Sequence, residues 1–342
     1  MHKSMKHKFL AGIAVIVLIA VLLAVSCAPA KPPETIVMRY SCGLPPLHWV
    51  CTEMMPSFAS EIEQRTGGSV KIELYPGAEL YKHDEVVDAV TTGAVDIALN
   101  SPGHWAGRNP TFSFAGYFFV LTSGEQWLKA QDEVEAIMEA VYEEQGAKLL
   151  HFVHYGSVGI QSVMPIEKPE DVKGEKVRAP IPPFLESLEV LGATPVKLAS
   201  AEAYDALAKG AIVGVASGFS SMYTRKWYEV AKYAIGPTHW DLWFTTMNLA
   251  RWNSLPKDIQ QVFIEVGQEM GVLTIERGEA FDAESMDALK QKGVTIIIFT
   301  PQEEAAWTAL VEPAYQKWVE QCEAAGYGDE ARELLKIFKA AK

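Results

Sequence analysis

Apolar and polar positions alternate in "VKIELY" (70–75) and in the shorter "VKL" (196–198), which predicts two strands. Each strand is followed by helical apolar spacing, then a glycine, then an apolar run. The two copies are "HDEVVDAVTTGAVDIAL" from His83 and "SAEAYDALAKGAIVGVA" from Ser200. They align without a gap: Glu85 with Glu202, Asp88 with Asp205, Ala89 with Ala206 and Gly93 with Gly210. A glycine just past a helix supplies the left-handed residue that stops it. Each copy therefore reads strand, helix, glycine, strand, and the pair predicts two α/β lobes built on one plan. Parallel strands joined by helices place ligand sites beyond their carboxyl ends. Two such lobes facing each other enclose a cleft.

The remaining pattern is mostly helical. "PSFASEIEQRTGG" (56–68) has one apolar face and a Gly-Gly stop, and 123–146 reads as a helix ending at Gly146. Residues 254–293 predict a very long helix, with Ser254 as N-cap and Pro256 in the first turn. Such a helix is long enough to run across both lobes. "VTIIIF" (294–299) reads as a buried strand, and the helical stretch from Pro301 carries Pro313 as a kink or break.

The N-terminus adds a different signal. "MHKSMKHK" is basic, "FLAGIAVIVLIAVLLAV" is uncharged, and "SCAPA" follows. The run approaches membrane-spanning length, but the basic start and the small residues Ala24 and Ser26 predict a cleavable export signal over 1–26. "AVSC" resembles the bacterial lipobox, which implies a lipid on Cys27, a tether over 27–35 and a chain anchored on the extracytoplasmic face of the membrane or in the periplasm. In an exported chain Cys42 and Cys51, nine residues apart, are permitted to pair as a disulfide; two small buried thiols fit equally. Cys322 is left over. The 342 residues carry a net charge of -13; such a surface repels nucleic acid and anionic lipid, so no nucleic-acid partner is expected, but it leaves room for an anionic small ligand in a local pocket.

No G-x-S-x-G, H-E-x-x-H, C-x-x-C or phosphate-binding glycine loop is present, and "HWVC" with His48 and Cys51 is a weak nucleophile signal. The sequence predicts no enzyme and no cofactor. An exported hydrolase and a ligand-sensing lipoprotein for a receptor kinase stand as alternatives to a binding protein. One residue is out of place in this pattern. Arg178, in "GEKVRAPIPPF", sits where a strand enters a sheet, and arginine is rarely buried unpaired. Either it makes a surface pair with Glu175 or Glu186, or its partner lies outside the protein.

Several stretches in fixed order carry a family resemblance: "FASEIEQRTGGSVKIELYPGAELYKHDEVVDAVTTGAVDIAL", "PIEKPEDVKGEKVRAP", "LGATPVKLASAEAYDALAKGAIVG", "WYEVAKYAI" and "MNLARWNSLPKDIQQV". Together they cover most of residues 38–265, and the chain resembles the substrate-binding proteins of TRAP transporters, the tripartite ATP-independent periplasmic carriers. The resemblance implies an α/β, two-lobed periplasmic-binding-protein-like fold. Its mixed sheets are flanked by helices, a long helix spans both lobes, and the ligand sits between them. The implied lobes are 36–156 plus about 243–282, and 157–242 plus about 283–342. The implied partners are a small organic acid and the TRAP membrane permease. The arginine of the family's K-x-R-x-P element falls on Arg178 and would fork a ligand carboxylate, a geometry that planar guanidinium suits.

Departures from the family pattern narrow the expected ligand. Gln161 stands where many relatives have a second arginine, implying one strong anionic contact. "IVGVASG" lacks the acidic and amide groups common after the second-lobe helix, so a metal is not expected, and Ser200 replaces an aromatic lid. The expected wall is apolar and aromatic: Trp49, Trp105, Phe219 and Trp240, with His48, Asn100, Ser101, Ser217 and His239 as polar anchors. The expected ligand is a monocarboxylate with an apolar or aromatic body.

Overall fold

The computed structural model describes residues 35–342. The export signal, Cys27 and nearly all of the tether lie outside the described residues. Among the described residues no helix is long and apolar enough to cross a membrane.

Among the described residues nine strands form one mixed sheet. The first unit is β1 (Ile36–Cys42), a short π-turn into α1 (Met55–Arg65), β2 (Val70–Tyr75), α2 (Val86–Thr92) and β3 (Ile97–Asn100). Helix α3 (Gly124–Glu144) leads into β4 (Ala147–Ser162). The second unit is β5 (Lys176–Ala179), α4 (Pro182–Val190), β6 (Thr194–Lys197), α5 (Ala203–Ala208) and β7 (Gly214–Gly218). Then come α6 (Phe219–Thr224), β8 (Tyr233–Asn248), α7 (Leu249–Ser254), α8 (Lys257–Gln291), β9 (Thr295–Ile298), α9 (Pro301–Ala324) and α10 (Gly328–Ala341).

The repeat read in the sequence is physical. In each unit the first strand lies between the other two, in the orders β2-β1-β3 and β6-β5-β7. The aligned residues also do the same work. The Glu85 carboxylate accepts from the Lys82 amide at 3.1 Å, and the Glu202 carboxylate accepts from the Ala199 amide at 3.3 Å. Each holds the entry of its helix. Gly93 and Gly210 both take positive φ, 78° and 66°, as a left-handed stop requires.

The units are joined by two strands of 16 residues each, β4 and β8, paired antiparallel along their whole length. β8 carries β3 at its C-terminal half and β9 at its N-terminal half; β4 carries β7 at its C-terminal half. Three register shifts interrupt the ribbon, the central one between His154 and Gly156. There Tyr155 is the extra residue, and a bulge of this kind re-aims a side chain.

The 35-residue α8 packs directly on β4 through glycines on one face. A Cβ on Gly267 would stand 2.8 Å from the Leu150 carbonyl, on Gly271 2.7 Å from the Phe152 ring, and on Gly278 2.5 Å from the His154 ring. The helix also serves the bulge through two side-chain hydrogen bonds. The His154 amide donates to Thr274 Oγ1 at 3.2 Å, and the Ser157 amide donates to Asp282 Oδ2. Burial raises the Asp282 carboxyl to about 7, and its Oδ1 has no partner among the described residues.

Three details differ from the sequence reading. Ser254 does not cap the long helix. It closes α7, which Asn248 caps by accepting from the Arg251 amide, and Pro256 then starts a new helix. β9 is not buried: it is an edge strand with Ile298 half exposed, because only β8 pairs with it. Pro313 does not break α9, which is continuous from Pro301 to Ala324.

Two predictions follow from this packing. Gly278→Ala forces a methyl into the His154 ring, so thermal melting should show a loss of about 1–3 kcal/mol; an unchanged melting temperature would contradict the contact. Asp282 has a folded pKa above its unfolded value, so its protonated form is the stabilising one. That contribution is complete below about pH 4 and is lost as pH rises to about 7. Asp282→Asn should therefore match the parent at pH 4 and exceed it by about 4 kcal/mol at pH 8. A pH-independent difference would contradict this assignment.

Candidate functional site

The strands of both repeat units end at one cleft. Leu44 follows β1, and Ser101 and His104 follow β3. Across from them Pro180 and Ile181 follow β5, Ser200 follows β6, and Ser217 and Gly218 end β7. The cleft has about 470 Å³ of empty space continuous with solvent. Its rims meet where Gly103 packs on Ile181; a Cβ on Gly103 would stand 2.6 Å from that side chain.

The crossing strands supply Tyr155, Asp241 and Trp243. Tyr155, turned inward by the bulge, stacks on Trp243 at 4.7 Å between ring centroids and on His48 at 5.3 Å behind it. Its hydroxyl is 2.5 Å from Ser221 Oγ. Gly218 leaves the space for this ring, since a Cβ there would lie 2.6 Å from it. His83 and His104 stack at 5.3 Å against the edge of Trp243. Burial lowers the pKa of both imidazoles, with neighbouring charge adding to the effect at His83, so they are neutral at pH 7.

Arg178 is 1% exposed and lies just behind this wall. Its Nε donates to the Leu198 carbonyl at 2.7 Å and its Nη2 to Ser200 Oγ at 2.8 Å. Its Nη1 is buried without a partner. Glu186 is engaged instead with Tyr117 and Gln321, and Arg178 makes no ion pair among the described residues. Burial, and then the like charge of Arg225, lower its pKa to about 10, which leaves it cationic at neutral pH.

Of the residues expected on the wall, Ser101 and Ser217 line the cleft and Arg178 touches it through Ser200. The others stand behind it. Trp105 packs on Phe112 and Tyr142, and its Nε1 donates to Asn100 Oδ1, so both belong to the interior. Trp240 stacks on His154 at 3.8 Å on the opposite side of the ribbon from Trp243's ring partners. Phe219 fills the core of the second unit, and Trp49 lies against Arg277. His48 supports Tyr155 and Ser220, and burial lowers its pKa to about 3. His239 packs edge-on to Phe184. Gln161 donates to the Ala231 carbonyl and does not line the cleft. Large aromatic side chains are the main filling of cores, which is why aromatic content alone misplaced them.

The possible disulfide is not formed. Cys42 and Cys51 are free thiols, both turned to the chain at Leu44: the Leu44 amide donates to Cys42 Sγ and Cys51 Sγ donates to the Leu44 carbonyl.

Sequence reasoning missed Arg225, Asp241, Tyr155, Trp243, His83 and His104. Asp241 was visible as a lone acid in the apolar run "HWDLWF". Arg225 gave no signal, because nothing in "MYTRKW" says that the turn after α6 faces the cleft.

A family model described as bacterial extracellular solute-binding protein, family 7, matches residues 43–321. The C4-dicarboxylate-binding periplasmic protein DctP of Rhodobacter capsulatus is 27% identical over 269 residues, 77% of this chain and 81% of that protein. The structure of a Bordetella pertussis extracytoplasmic solute receptor binding pyroglutamic acid superposes with a TM-score of 0.82 at 19% identity, over 89% of this chain and all of that one. A TRAP periplasmic solute-binding protein from Desulfovibrio salexigens with bound orotic acid gives 0.83 at 20% identity, over 90% of this chain and all of that one.

Proposed function

The chain belongs to family 7 of the bacterial extracellular solute-binding proteins, as a substrate-binding protein of the TRAP type, and from that premise we propose that its cleft captures a small organic carboxylate. One observation carries this reading. The buried Arg178 guanidinium has a free N–H at Nη1 and no carboxylate partner among the described residues. A charge held this way costs several kcal/mol until it is paired. A ligand carboxylate arriving through the cleft supplies the missing pair, and the fork geometry of arginine makes it specific. The bodies that relatives bind, a C4-dicarboxylate, pyroglutamate and orotate, are all carboxylates.

Tyr155, Trp243 and Phe184 favour a flat or apolar body behind the carboxylate. Capture proceeds by closure of the two lobes, divided at 36–156 plus about 243–282 and 157–242 plus about 283–342, because a ligand touching both walls favours the closed state. The ligand is handed unchanged to the membrane permease; no turnover is proposed. The protein works outside the cytoplasmic membrane, held there by a lipid on Cys27.

Arg178→Ala should weaken binding of the co-purified ligand, identified by mass spectrometry, by about 2–5 kcal/mol in calorimetry. Arg178→Lys should recover little, since an ammonium cannot form the fork. Parent-like affinity in Arg178→Ala, or an uncharged native ligand, would sink the proposal. For the anchor, Cys27→Ala should move the protein from the membrane fraction to soluble or unprocessed forms. A processed form that still partitions into membrane would argue against lipidation.

A further inference from the structure

We infer that the ligand is a small monocarboxylate carrying an uncharged N–H or O–H donor, its carboxylate shared by Arg178 and Arg225 and its donor bound by Asp241, and that dicarboxylates are rejected. This rests on the carboxylate reading above and names the ligand's second functional group.

Arg225 lines the cleft, yet its side chain makes no hydrogen bond or ion pair among the described residues, and its Nε is buried without a partner. It lies close enough to Arg178 for their like charges to weaken Arg178's hold on its proton. Two guanidinium groups each with an unpaired N–H suit one carboxylate, whose two oxygens offer about four acceptor sites. The expectation of a single anionic contact, drawn from Gln161, is thereby replaced: the second arginine comes from a different element.

Asp241 is the one acid among the residues lining the cleft. Its Oδ2 is fixed by the Trp243 indole N–H at 2.9 Å. The nearest basic atom to its Oδ1 is His239 Nε2 at 3.5 Å, which makes no hydrogen bond, so Oδ1 keeps its acceptor capacity. An acceptor in a cleft selects a donor, because an analogue lacking the donor leaves a buried carboxylate oxygen unpaired. The charges agree. His83 and His104 are neutral, so the two arginines outnumber Asp241 at the cleft, with Asp84 set back behind His104 at 4.0 Å. A second ligand carboxylate would face Asp241 with like charge, and such juxtaposition is a standard device against wrong partners.

The test is calorimetric titration of the intact mature protein, freed of co-purified ligand, with matched probes. Pyroglutamate has a carboxylate and a lactam N–H; cyclopentanecarboxylate keeps the ring and carboxylate without the donor; succinate adds a second carboxylate. The parent should bind pyroglutamate at least tenfold tighter than either of the others. Arg225→Gln should weaken pyroglutamate and cyclopentanecarboxylate alike, by tenfold or more. Asp241→Ala should erase the preference for the lactam, and Asp241→Asn, which keeps an acceptor oxygen, should improve succinate at least tenfold. Circular dichroism and melting of each variant confirm folding, and the Asp241→Asn arm stands if the alanine variant unfolds. If carboxylates bind through Arg178 but succinate matches pyroglutamate in the parent, or Asp241→Ala keeps the lactam preference, or Asp241→Asn binds succinate no better than the parent, this inference is overturned and the carboxylate reading survives. If no carboxylate probe binds the parent, both fall together.

Discussion

Arg178 keeps its charge while 1% exposed and without a carboxylate partner among the described residues, and it does so at the edge of the cleft. A buried guanidinium left alone would be among the costliest features of a fold. Here it is made tolerable by two neutral acceptors, the Leu198 carbonyl and Ser200 Oγ, which satisfy part of its donor fork and fix its orientation. Neutral acceptors do not cancel charge. The positive charge left over lies beside that of Arg225, which lines the cleft together with Asp241. On a chain with net charge -13, this is a local inversion of sign, which lets an acidic surface hold an anion.

The backbone that permits this arrangement is a duplicated unit. Strands β1 and β3 from one copy and β5, β6 and β7 from the other deliver their carboxyl ends to the same space, while β4 and β8 pass between the copies. The bulge at Tyr155 turns a structural strand into part of the wall. The amides of His154 and Ser157 on either side of it are satisfied from outside the sheet by Thr274 and Asp282 of α8. The glycines of α8 bring those side chains near enough to reach. Site and scaffold are thus one system: the ring that lines the cleft is held in place by α8, which packs on the same strand and, through Phe281, on His48.

Much of this was legible in the sequence, for physical reasons that particular residues make plain. The repeat showed because Glu85 and Glu202 do the same local job, as do Gly93 and Gly210, and local jobs leave fixed spacings. Arg178 showed because a charge entering a sheet needs an explanation. The wall did not show, because its membership depends on non-local geometry. Trp240 and Trp243 are three residues apart on one strand, yet Trp240 stacks on His154 and Trp243 on Tyr155. Only the register between β4 and β8, with its bulges, decides which of them meets the cleft. Arg225 was hidden for the same reason, since its role depends on where a turn lands.

The long β4–β8 ribbon, shifted in register at three points, has a mechanical consequence. With pairing that starts at the first and ends at the last of the 16 residues of each strand, these two strands offer no free loop as a joint among the described residues. Any change in the aperture of the cleft must flex the ribbon itself, and the register shifts are its compliant points. The junction then behaves as a leaf spring, with a preferred curvature and a restoring force, clamped on one side by α8. A change on the clamped face, far from any ligand atom, would alter the curvature at rest and with it the work needed to shut the cleft.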